Sequence, residues 1–404
     1  MGNIAVVVGA GIGGLAAAIG LRRVGWDVRV VERAPVLDDA GAGISLAANG
    51  IRALDELGVG ASVRAAARGQ YTGGTRTPDG SWLARMDGAA LERALGTPIV
   101  GIPRAALHRL LRDALPPGNV RIGVEVTEVD HSAPGRVRVR TRPSGSSAAP
   151  DADAELDADL VVAADGVDSR TRAALFPHHP GPVYSGSTVL RALTEPLDLD
   201  TDFEITWGYG AEFGHIALHD GRAEWHAVLN APAGVRHIDP LGEVRRRFAD
   251  WHQPIGRLLD ATRPDAVLHH DIHELATPLP SFVTGRIALL GDAAHAMTPN
   301  LGQGACQALE DAVVLAAALA HDSDTDTALA AYDAERRPRA QSVTVAARKA
   351  GRMGQQLSGS AAVTLRNAAL RLAPSGMAVR MILRHADWTP PRLPPPGSGT
   401  SLVE

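Results

Sequence analysis

Gly9-Ala-Gly11-Ile-Gly-Gly14 is the segment that most constrains the architecture of this 404-residue chain. It follows an apolar run, Ile4 to Val8, that predicts a buried strand, and it precedes Leu15 to Val24, which predicts a helix. A second apolar run, Val28 to Val31, ends in Glu32. Strand, glycine turn, helix, strand and acid in this order are the fingerprint of a dinucleotide-binding βαβ unit.

Each part of the fingerprint has a physical task. Gly9 makes the tight turn, Gly11 lets a pyrophosphate approach the backbone, and Gly14 lets the helix pack on the strand. We assign Gly13 to the same cofactor-binding turn. Glu32 is placed to accept hydrogen bonds from the ribose hydroxyls of an adenosine half. The alternative, a glycine-rich turn in an ordinary α/β protein, does not explain Glu32.

A second segment, further along the chain, fits the other end of such a cofactor. The apolar run Ile287 to Leu290 predicts a buried strand that ends in Gly291-Asp292, and Pro299, Gly302 and Gly304 follow before a long apolar helix. A carboxylate at a strand end can bond sugar-like hydroxyls, and glycine backbone at a helix N-terminus can approach a flat ring. A flavin has both parts, a ribityl chain and a pyrimidine edge.

A third signal lies between these two. Asp159 to Ala164 predicts a strand, and Asp165-Gly-Val-Asp-Ser-Arg170 follows it. Together the three segments resemble the class A flavoprotein monooxygenases, the p-hydroxybenzoate hydroxylase-like group, whose GxGxxG, DG and GD motifs occur here in the same order. The resemblance runs from residue 2 to about residue 350. Within the group, the chain is most similar to the salicylate hydroxylase, urate hydroxylase and zeaxanthin epoxidase-like branch.

The resemblance implies an α/β fold with a Rossmann-like FAD domain of the glutathione reductase type, an inserted antiparallel β-sheet substrate domain and C-terminal helices. Alternating runs such as Phe203 to Trp207 and Glu224 to Val228 independently predict an antiparallel sheet. We assign residues 1–70, 98–175 and 281–330 to the FAD-binding domain, 71–97 and 176–280 to the substrate-binding domain, 331–388 to C-terminal helices and 389–404 to a mobile tail.

The resemblance also implies roles at the flavin end of a non-covalently bound FAD. Asp292 would contact the ribityl chain, and Pro299 would stand beside the ring face where substrate binds. Gly302, Gln303 and Gly304 would face the pyrimidine edge. The physics agrees, because the positive N-terminal end of the following helix would stabilise a reduced, anionic ring.

Further residues are implied at the pyrophosphate and adenosine end. Arg104 matches an arginine near the pyrophosphate, and Val126 matches a strand position whose backbone meets adenine. Arg33 would stack on adenine, with a solvated surface arginine as the alternative. Asp165 would orient the cofactor loop or help to bind nicotinamide, or it would cap the turn before Ser169, and we favour a mainly structural role.

The activity implied is an FAD-dependent monooxygenation that uses NADPH or NADH and O2. A flavin C4a-hydroperoxide would hydroxylate an aromatic or heteroaromatic small molecule in a site kept dry. The alternative is epoxidation of an alkene or indole double bond by the same reagent. A halogenase would need a lysine near the flavin, but the only lysine is Lys349, far past the motifs. A redox-silent dinucleotide-binding module is disfavoured by the complete flavin-end apparatus.

Substrate contacts are expected from Pro299 and from the sheet, where we take Trp207, Tyr209 and His215 as the candidate catalytic and pocket residues. His226 and Phe213 are weaker candidates, and core or surface positions are the alternative for all the sheet residues. Urate hydroxylases use an arginine on this sheet, but the corresponding stretch here, Glu212-Phe-Gly-His215, has none. This difference favours a less charged substrate. His295 is interpreted as a hydrogen-bonded brace of its loop rather than a general base.

Composition limits the remaining possibilities. A net charge of −5 gives no nucleic-acid footprint, and the single cysteine, Cys306, excludes an internal disulfide and a multi-cysteine metal site. The N-terminus lacks the basic region of a signal peptide, and no apolar run reaches the roughly 20 residues of a membrane span. We therefore expect a cytoplasmic monomer or homodimer without a metal, a nucleic-acid partner or a membrane partner.

Overall fold

The computed structural model describes residues 3–37, 42–133, 135–144, 154–374 and 376–395. Within these ranges the strands, in chain order, are β1 (Ile4–Val8), β2 (Asp27–Glu32), β3 (Gly43–Leu46), β4 (Arg68–Gly69), β5 (Gly73–Arg76), β6 (Trp82–Arg85), β7 (Val100–Pro103), β8 (Val120–Ile122), β9 (Val124–Asp130), β10 (Val137–Pro143), β11 (Ala154–Ala158), β12 (Leu160–Ala163), β13 (Val183–Leu193), β14 (Phe203–Trp207), β15 (Ala211–Ala217), β16 (Ala223–Asn230), β17 (Leu268–Glu274), β18 (Val283–Thr284) and β19 (Ile287–Leu289).

The same ranges contain helices that cover the sheets and form the C-terminal layer. None of them is long and apolar enough to cross a bilayer. In chain order they are α1 (Ile12–Arg23), α2 (Ala48–Glu56), α3 (Gly60–Ala66), α4 (Gly88–Leu95), α5 (Arg104–Asp113), α6 (Arg170–Leu175), α7 (Pro240–Arg247), α8 (Ile255–Asp260), α9 (Asp292–His295), α10 (Gly304–His321), α11 (Thr325–Met353), α12 (Ser360–Arg371) and α13 (Met377–Ala386).

A six-stranded sheet carries the dinucleotide fingerprint. Its order is β18-β19-β12-β1-β2-β8, and β1 pairs in parallel with both β2 and β12. The central strands consist almost entirely of buried valine, leucine and alanine, which is typical of parallel strands covered on both faces. A Cβ on Gly20 would lie 3.0 Å from the Ala316 Cβ, so small residues let α1 and α10 approach closely.

A seven-stranded sheet, mostly antiparallel, forms the second layer. Its order is β17-β13-β16-β15-β14-β5-β6, so the early strands β5 and β6 join strands that come more than a hundred residues later. One face packs on α7 and α8, where Phe213 stacks on Trp225 with ring centroids 5.6 Å apart and meets the edge of Phe248. This is the antiparallel sheet that the alternating sequence pattern predicts.

The other face of the seven-stranded sheet is turned toward the small sheet β3-β7-β4. A Cβ on Gly43 would lie 2.6 Å from the Glu224 Cβ, and a Cβ on Gly101 would lie 2.6 Å from the Ile216 Cγ2. We call this side, which carries Arg191, Glu212, Gly214, Glu224 and His226, the inward face. β3 leads directly into α2, which contacts α10, so the inward face lies beside the elements of the predicted flavin end.

The α/β architecture with an inserted antiparallel sheet and C-terminal helices is confirmed, whereas the exact domain limits stay a prediction. The expected mobile tail differs in its first part. Leu393 is buried and its N–H donates to Glu56 Oε2 at 3.1 Å, while Arg23 Nε donates to the carbonyl of Pro394 at 2.8 Å. The segment 389–395 therefore lies against α1 and α2, because the burial of Leu393 and these hydrogen bonds hold it there. Residues 396–404 lie outside the described residues.

Candidate active site

The glycine turn is tight at two positions and open at a third. Gly9 has a φ of +102°, and a Cβ there would lie 2.4 Å from the Ala164 carbonyl oxygen. A Cβ on Gly14 would lie 2.0 Å from the Gly9 oxygen. At Gly11, by contrast, a Cβ would meet no atom within 4 Å. The turn thus presents bare backbone to open space at Gly11, at the N-terminus of α1, which suits a pyrophosphate.

Gly13 also serves helix packing, and its predicted place at the cofactor stays a prediction. A Cβ on Gly13 would lie 2.7 Å from the Leu290 Cδ2 and 3.1 Å from the Ala308 Cβ. The residue therefore faces β19 and α10, and its small size serves helix packing. The GxGxxG pattern does not reveal this, because the neighbours come from almost three hundred residues later in the chain.

Glu32 stands at the end of β2 with its carboxylate held by backbone. One oxygen accepts from the Ala10 N–H and the other from the Ala34 N–H, both at 2.8 Å. The side chain is half-buried, and each carboxylate oxygen can accept a further hydrogen bond. The geometry suits ribose hydroxyls presented from the open side of the turn.

His108 is a neighbour of the turn that sequence reasoning missed. Its Nε2 lies 2.7 Å from the carbonyl oxygen of Ala10, and its buried Nδ1 has no hydrogen-bond partner among the described residues. It follows Arg104 by one helical turn on α5, and this i,i+4 spacing is the signal that would have found it.

A surface cavity of about 460 Å³ lies at the predicted adenosine end and is lined by Arg33, Glu125, Arg142, Pro143 and Ser144. Arg33 is exposed there, and the half-buried Val126 follows Glu125 on β9. Arg33 and Val126 thus lie on the same side of the molecule, as expected for two residues beside one adenine. Stacking of Arg33 stays a prediction.

Arg104 and Asp292 lie close enough for their charges to interact. The Arg104 side chain keeps contact with solvent, but partial desolvation by the surrounding protein and the charge of Arg191 lower its pKa, whereas the charge of Asp292 raises it. Asp292 is exposed at the start of α9, and within the described ranges its carboxylate accepts no hydrogen bond. A cation and a nearby carboxylate without a hydrogen-bond donor in the described ranges suit the pyrophosphate and ribityl parts of FAD.

The loop after Asp292 is open where glycine is predicted to face the ring. Pro299–Leu301 form a 3₁₀ turn, Gly302 follows at a φ of +61°, and Gly304 begins α10. A Cβ on Gly302 or on Gly304 would meet no atom within 4 Å. The space beside these two glycines is open, and the first N–H groups of a helix have no intrahelical partner, a combination that suits a developing negative charge at the start of α10.

The side-chain oxygen of Gln303 is held by a hydrogen bond from Asn49. It is buried, and its Oε1 accepts from the Asn49 Nδ2 at 2.8 Å. The same Asn49 nitrogen donates to Glu310 at 2.7 Å, and the Asn49 Oδ1 is buried with no partner among the described residues. The Gln303 backbone and its Nε2 amide therefore remain for the predicted contact with the pyrimidine edge.

A buried ionic network stands behind this loop. His295 donates through Nε2 to Asp311 Oδ2 at 2.6 Å, and Arg336 donates to Asp311 Oδ1 at 2.7 Å and also pairs with Glu310. Burial alone would raise the pKa of Asp311, but the charges of His295 and Arg336 and the hydrogen bonds hold it at about 2. His295 is therefore a brace of the loop, in agreement with the sequence interpretation.

Asp165 and Arg172 also hold loops in place. Asp165 Oδ2 accepts from the N–H and the hydroxyl of Thr171, both at 3.1 Å, while its buried Oδ1 has no partner among the described residues. Arg172 is buried and donates to the carbonyls of Ala293 at 3.1 Å and Val167 at 2.6 Å. Asp165 thus caps the turn, and Arg172 ties this turn to α9.

The predicted substrate residues of the sheet do not share one face. Trp207 pairs with Glu212 across β14 and β15, and its Nε1 donates to Glu212 Oε2 at 2.6 Å. Trp207 stands opposite Glu212, so these two side chains lie on one face of the sheet. Phe213 stands opposite Thr206 and His215 stands opposite Glu204, so these four side chains lie on the other face. Phe213 is in the core with α7, and His215 is 2% exposed on the outward face.

His215 is therefore turned away from the inward face, and its role as a pocket residue stays a prediction that this orientation does not favour. Burial lowers its pKa to about 4, so it is neutral at physiological pH. Tyr209 lies in the turn between β14 and β15 and is 60% exposed. Of the three predicted sheet residues, only Trp207 has its side chain bonded on the inward face.

The inward face instead brings together charged residues from three strands. Arg191 donates through Nη2 to Glu224 Oε1 and to the carbonyl of Gly43, both at 2.7 Å. His226 Nδ1 lies 3.3 Å from Glu224 Oε2, and its Nε2 lies 3.7 Å from Glu212 Oε1. The sheet thus has an arginine on this face, but Glu224 already pairs with it.

The charges on this face change the protonation of their neighbours. Burial raises the pKa of Glu212, and the charge of His226 and the hydrogen bond from Trp207 offset this only in part. Burial lowers the pKa of His226, but the charge and hydrogen bond of Glu224 and the charge of Glu212 outweigh it and raise the pKa overall. Glu212 and His226 therefore both hold protons more strongly than free side chains do.

The sequence is similar to those of known FAD-dependent proteins. A family model described as "FAD binding domain" matches residues 3–347. The chain is 36% identical over 393 residues to the aurachin C monooxygenase/isomerase of Stigmatella aurantiaca. This alignment covers 96% of this chain and 99% of that protein. It is 33% identical over 360 residues to an FAD-dependent urate hydroxylase of Klebsiella pneumoniae, covering 85% of this chain and 88% of that protein.

A solved structure is similar over nearly the whole length. Klebsiella pneumoniae HpxO complexed with FAD and uric acid superposes with a TM-score of 0.87 at 28% identity, covering 96% of this chain and 97% of that one. The open backbone at Gly11 and Gly304 and the free carboxylate of Asp292 fit the same cofactor, FAD. The chain therefore belongs to the FAD binding domain family and is a class A FAD-dependent monooxygenase.

Proposed function

We propose that the protein hydroxylates a flat, largely neutral aromatic or heteroaromatic small molecule, with O2 as co-substrate and NADPH or NADH as electron donor. The observation that carries the proposal is the pair of open backbone sites, at Gly11 and at Gly302 to Gly304, that can hold both ends of FAD beside the inward face. FAD, when bound, passes electrons from the nicotinamide to O2 and delivers one oxygen atom to the substrate.

The chain's own residues bind and orient in this proposal. Glu32 and Arg104 hold the adenosine and pyrophosphate parts, and Asp292 holds the ribityl chain. The first N–H groups of α10 stabilise negative charge on the ring. Trp207 and Pro299 contribute apolar surface around the substrate, which excludes water from the reacting atoms.

The neutral substrate is supported by the charges on the inward face. Glu224 already pairs with Arg191, and Glu212 adds a carboxylate with no guanidinium within salt-bridge distance in the described ranges. An anionic substrate would therefore find no unpaired guanidinium on this face within the described ranges. The names of the relatives, a monooxygenase/isomerase and urate hydroxylases, are consistent with heteroaromatic chemistry and favour hydroxylation over the epoxidase alternative.

The test is the rate of NAD(P)H oxidation by the FAD-loaded protein. We expect slow oxidation alone and a sharp rise with the true substrate, because substrate completes the site. A panel of neutral fused heteroaromatics and of aromatic carboxylates should be compared, with the oxygenated product identified by mass spectrometry. Equal oxidation rates with and without every compound would contradict the proposal.

A cytoplasmic monomer or homodimer remains our expectation for the state of the protein, and size-exclusion chromatography with light scattering would test the oligomeric part.

A further inference from the structure

Glu212 is the acidic group on the inward face that has a carboxylate oxygen without a hydrogen-bond donor in the described ranges. One of its oxygens accepts the Trp207 N–H at 2.6 Å, and the other lies 3.7 Å from His226 Nε2, beyond hydrogen-bond distance. A carboxylate oxygen accepts two hydrogen bonds, so this second oxygen keeps accepting capacity. Glu224 differs, because Arg191 and His226 already occupy it.

A glycine on the neighbouring strand lets His226 lie beside Glu212. A Cβ on Gly214 would lie 2.4 Å from His226 Nε2 and 2.5 Å from its Cε1. The imidazole therefore covers the Gly214 backbone, and its Nε2 points toward the carboxylate two residues earlier on β15. Any larger side chain at position 214 would push the ring away.

Resting on the proposed function, we propose that Glu212 and His226 form the recognition site for a neutral heteroaromatic substrate that donates an acidic O–H or N–H, and that the pair takes this proton. In this step the substrate's O–H or N–H bond breaks, its proton binds Glu212 or His226, and the electron pair stays on the substrate ring. No atom is oxidised or reduced. The ring becomes more electron-rich, which is what electrophilic oxygen transfer requires.

The electrostatic surroundings agree with a proton-accepting pair. Burial raises the pKa of Glu212, and the neighbouring carboxylates raise that of His226, so each group binds a proton more strongly than a free side chain does. Beyond the pair, the charged or titratable groups of the described elements that face it or its partners include Glu224, Arg191, His270 on β17, Arg104 on α5, Arg366 on α12 over the Trp207 ring and the outward His215.

The experiment measures equilibrium binding to the FAD-loaded protein by isothermal titration calorimetry. The probes are 4-hydroxyquinoline, which has the donor, 4-methoxyquinoline, which lacks it, and quinoline-4-carboxylate, which is anionic. Titrations in two buffers of different ionisation enthalpy report proton transfer. The variants are Glu212→Gln, His226→Gln and Gly214→Ala. Glu204→Gln is the matched control, because Glu204 is a buried glutamate on the adjacent strand that faces outward and pairs with Arg76.

We expect 4-hydroxyquinoline to bind about ten-fold or more tightly than its methyl ether, as one charge-assisted hydrogen bond predicts. Glu212→Gln and His226→Gln should remove this preference and the proton transfer, Gly214→Ala should reduce it, and Glu204→Gln should keep it. In wild type, affinity for 4-hydroxyquinoline should fall as the pH falls below the raised pKa of Glu212, and Glu212→Gln should lose this pH dependence.

An unchanged preference in both Glu212→Gln and His226→Gln would overturn the inference, as would tighter binding of the carboxylate or no binding of 4-hydroxyquinoline to wild type. The proposed function fails by a different observation. If substrate-stimulated NAD(P)H oxidation is found while Glu212→Gln keeps the donor preference, only the role of the pair is wrong. If no compound stimulates oxidation, the proposed function fails whatever the binding data show.

Discussion

Asp311 Oδ2 lies 2.6 Å from His295 Nε2, and both side chains are almost completely buried behind the loop that begins at Asp292. The same Asp311 oxygen accepts the Gly291 N–H at 2.9 Å, and its other oxygen pairs with Arg336. One carboxylate thus joins the end of β19, the short helix α9 and the long helix α11. The predicted ribityl contact is positioned by a group that need not touch the cofactor.

Replacing Asp311 should lower stability in a pH-dependent way. Its folded pKa of about 2 lies below the ordinary value of 3.8, so its contribution is present above about pH 4 and is lost as the pH falls toward 2. The difference corresponds to about 2 kcal/mol. Urea unfolding of Asp311→Asn and wild type at pH 7 and pH 3 should show a larger gap at pH 7. A gap that does not change with pH would contradict this account.

His295→Ala should destabilise the fold without changing the chemistry. The variant leaves the buried Asp311 carboxylate with one partner fewer, which costs about 2–4 kcal/mol. Because His295 is a brace, the pH profile of substrate-stimulated NAD(P)H oxidation should keep its shape once the folded fraction is corrected for. Loss of one limb of that profile would instead show that His295 acts as an acid or base.

Gly11→Ala should separate folding from cofactor binding. Gly11 has an ordinary φ of −70°, and a Cβ there meets no protein atom within 4 Å, so the apoprotein should fold as well as wild type. The added methyl group would occupy the space proposed for the pyrophosphate, and FAD affinity should fall at least about ten-fold. Gly14→Ala is the contrasting variant, because its Cβ would collide with the Gly9 oxygen and impair folding itself. Circular dichroism and flavin fluorescence titration measure the two properties, and unchanged FAD affinity in Gly11→Ala would exclude this location for the pyrophosphate.

The local motifs could be predicted because each is contained in a short stretch of chain. The glycine turn, Glu32 and the loop from Asp292 to Gly304 need only the strand or helix beside them, and the periodicity of the sequence indicates those. The helix-packing role of Gly13 and the docked segment at Leu393 depend on partners far away in sequence.

The substrate face was harder to predict, because it depends on strand register. The alternation of apolar and polar residues shows which side chains of one strand share a face. It does not show which residues of β15 lie on the same face of the sheet as Trp207 on β14. The pairing of Trp207 with Glu212 fixes this, and a shift by one residue exchanges the faces. For this reason the sequence could not show that His215 and Trp207 lie on opposite faces, or that Arg191 and Glu224, 33 residues apart, are paired near Glu212.

Glu32→Ala should weaken FAD binding more than Glu32→Gln does. The alanine variant loses every acceptor at the end of β2, whereas glutamine keeps one neutral carbonyl acceptor. Each charge-assisted bond lost costs about 1.5–3 kcal/mol, which is roughly ten-fold or more in affinity. Glu128→Gln, an exposed carboxylate on β9, is the control. Reconstitution of apoprotein with FAD measures the affinities, and equal values for both Glu32 variants and wild type would exclude a ribose contact.

His215→Gln should reduce the loss of unfolding free energy that wild type shows as the pH falls. The folded pKa of about 4 lies below the ordinary 6.5, so the neutral, buried imidazole costs stability as the pH falls from 6.5 toward 4. Between pH 7.5 and pH 5 this amounts to about 2 kcal/mol. Unfolding by urea at the two pH values should therefore show a smaller loss in His215→Gln than in wild type. His219→Gln, at an exposed position, should lose as much as wild type, and equal losses in all three proteins would mean that His215 is protonated in the folded state.

Trp207→Ala should uncouple NAD(P)H oxidation from product formation, whereas His215→Gln should not. Trp207 lies on the inward face, bonded to Glu212, beside Gly354 and under the guanidinium of Arg366, which is 5.2 Å from its ring centroid. Removing the indole opens this wall to water, and water in the site diverts O2 to hydrogen peroxide. His215 faces outward, so its loss leaves the wall intact. The measurement is peroxide formed per nicotinamide oxidised with a saturating substrate: it should rise several-fold in Trp207→Ala and stay at the wild-type ratio in His215→Gln. If the two variants give the reverse pattern, the substrate lies on the outward face and the site described above is wrongly placed.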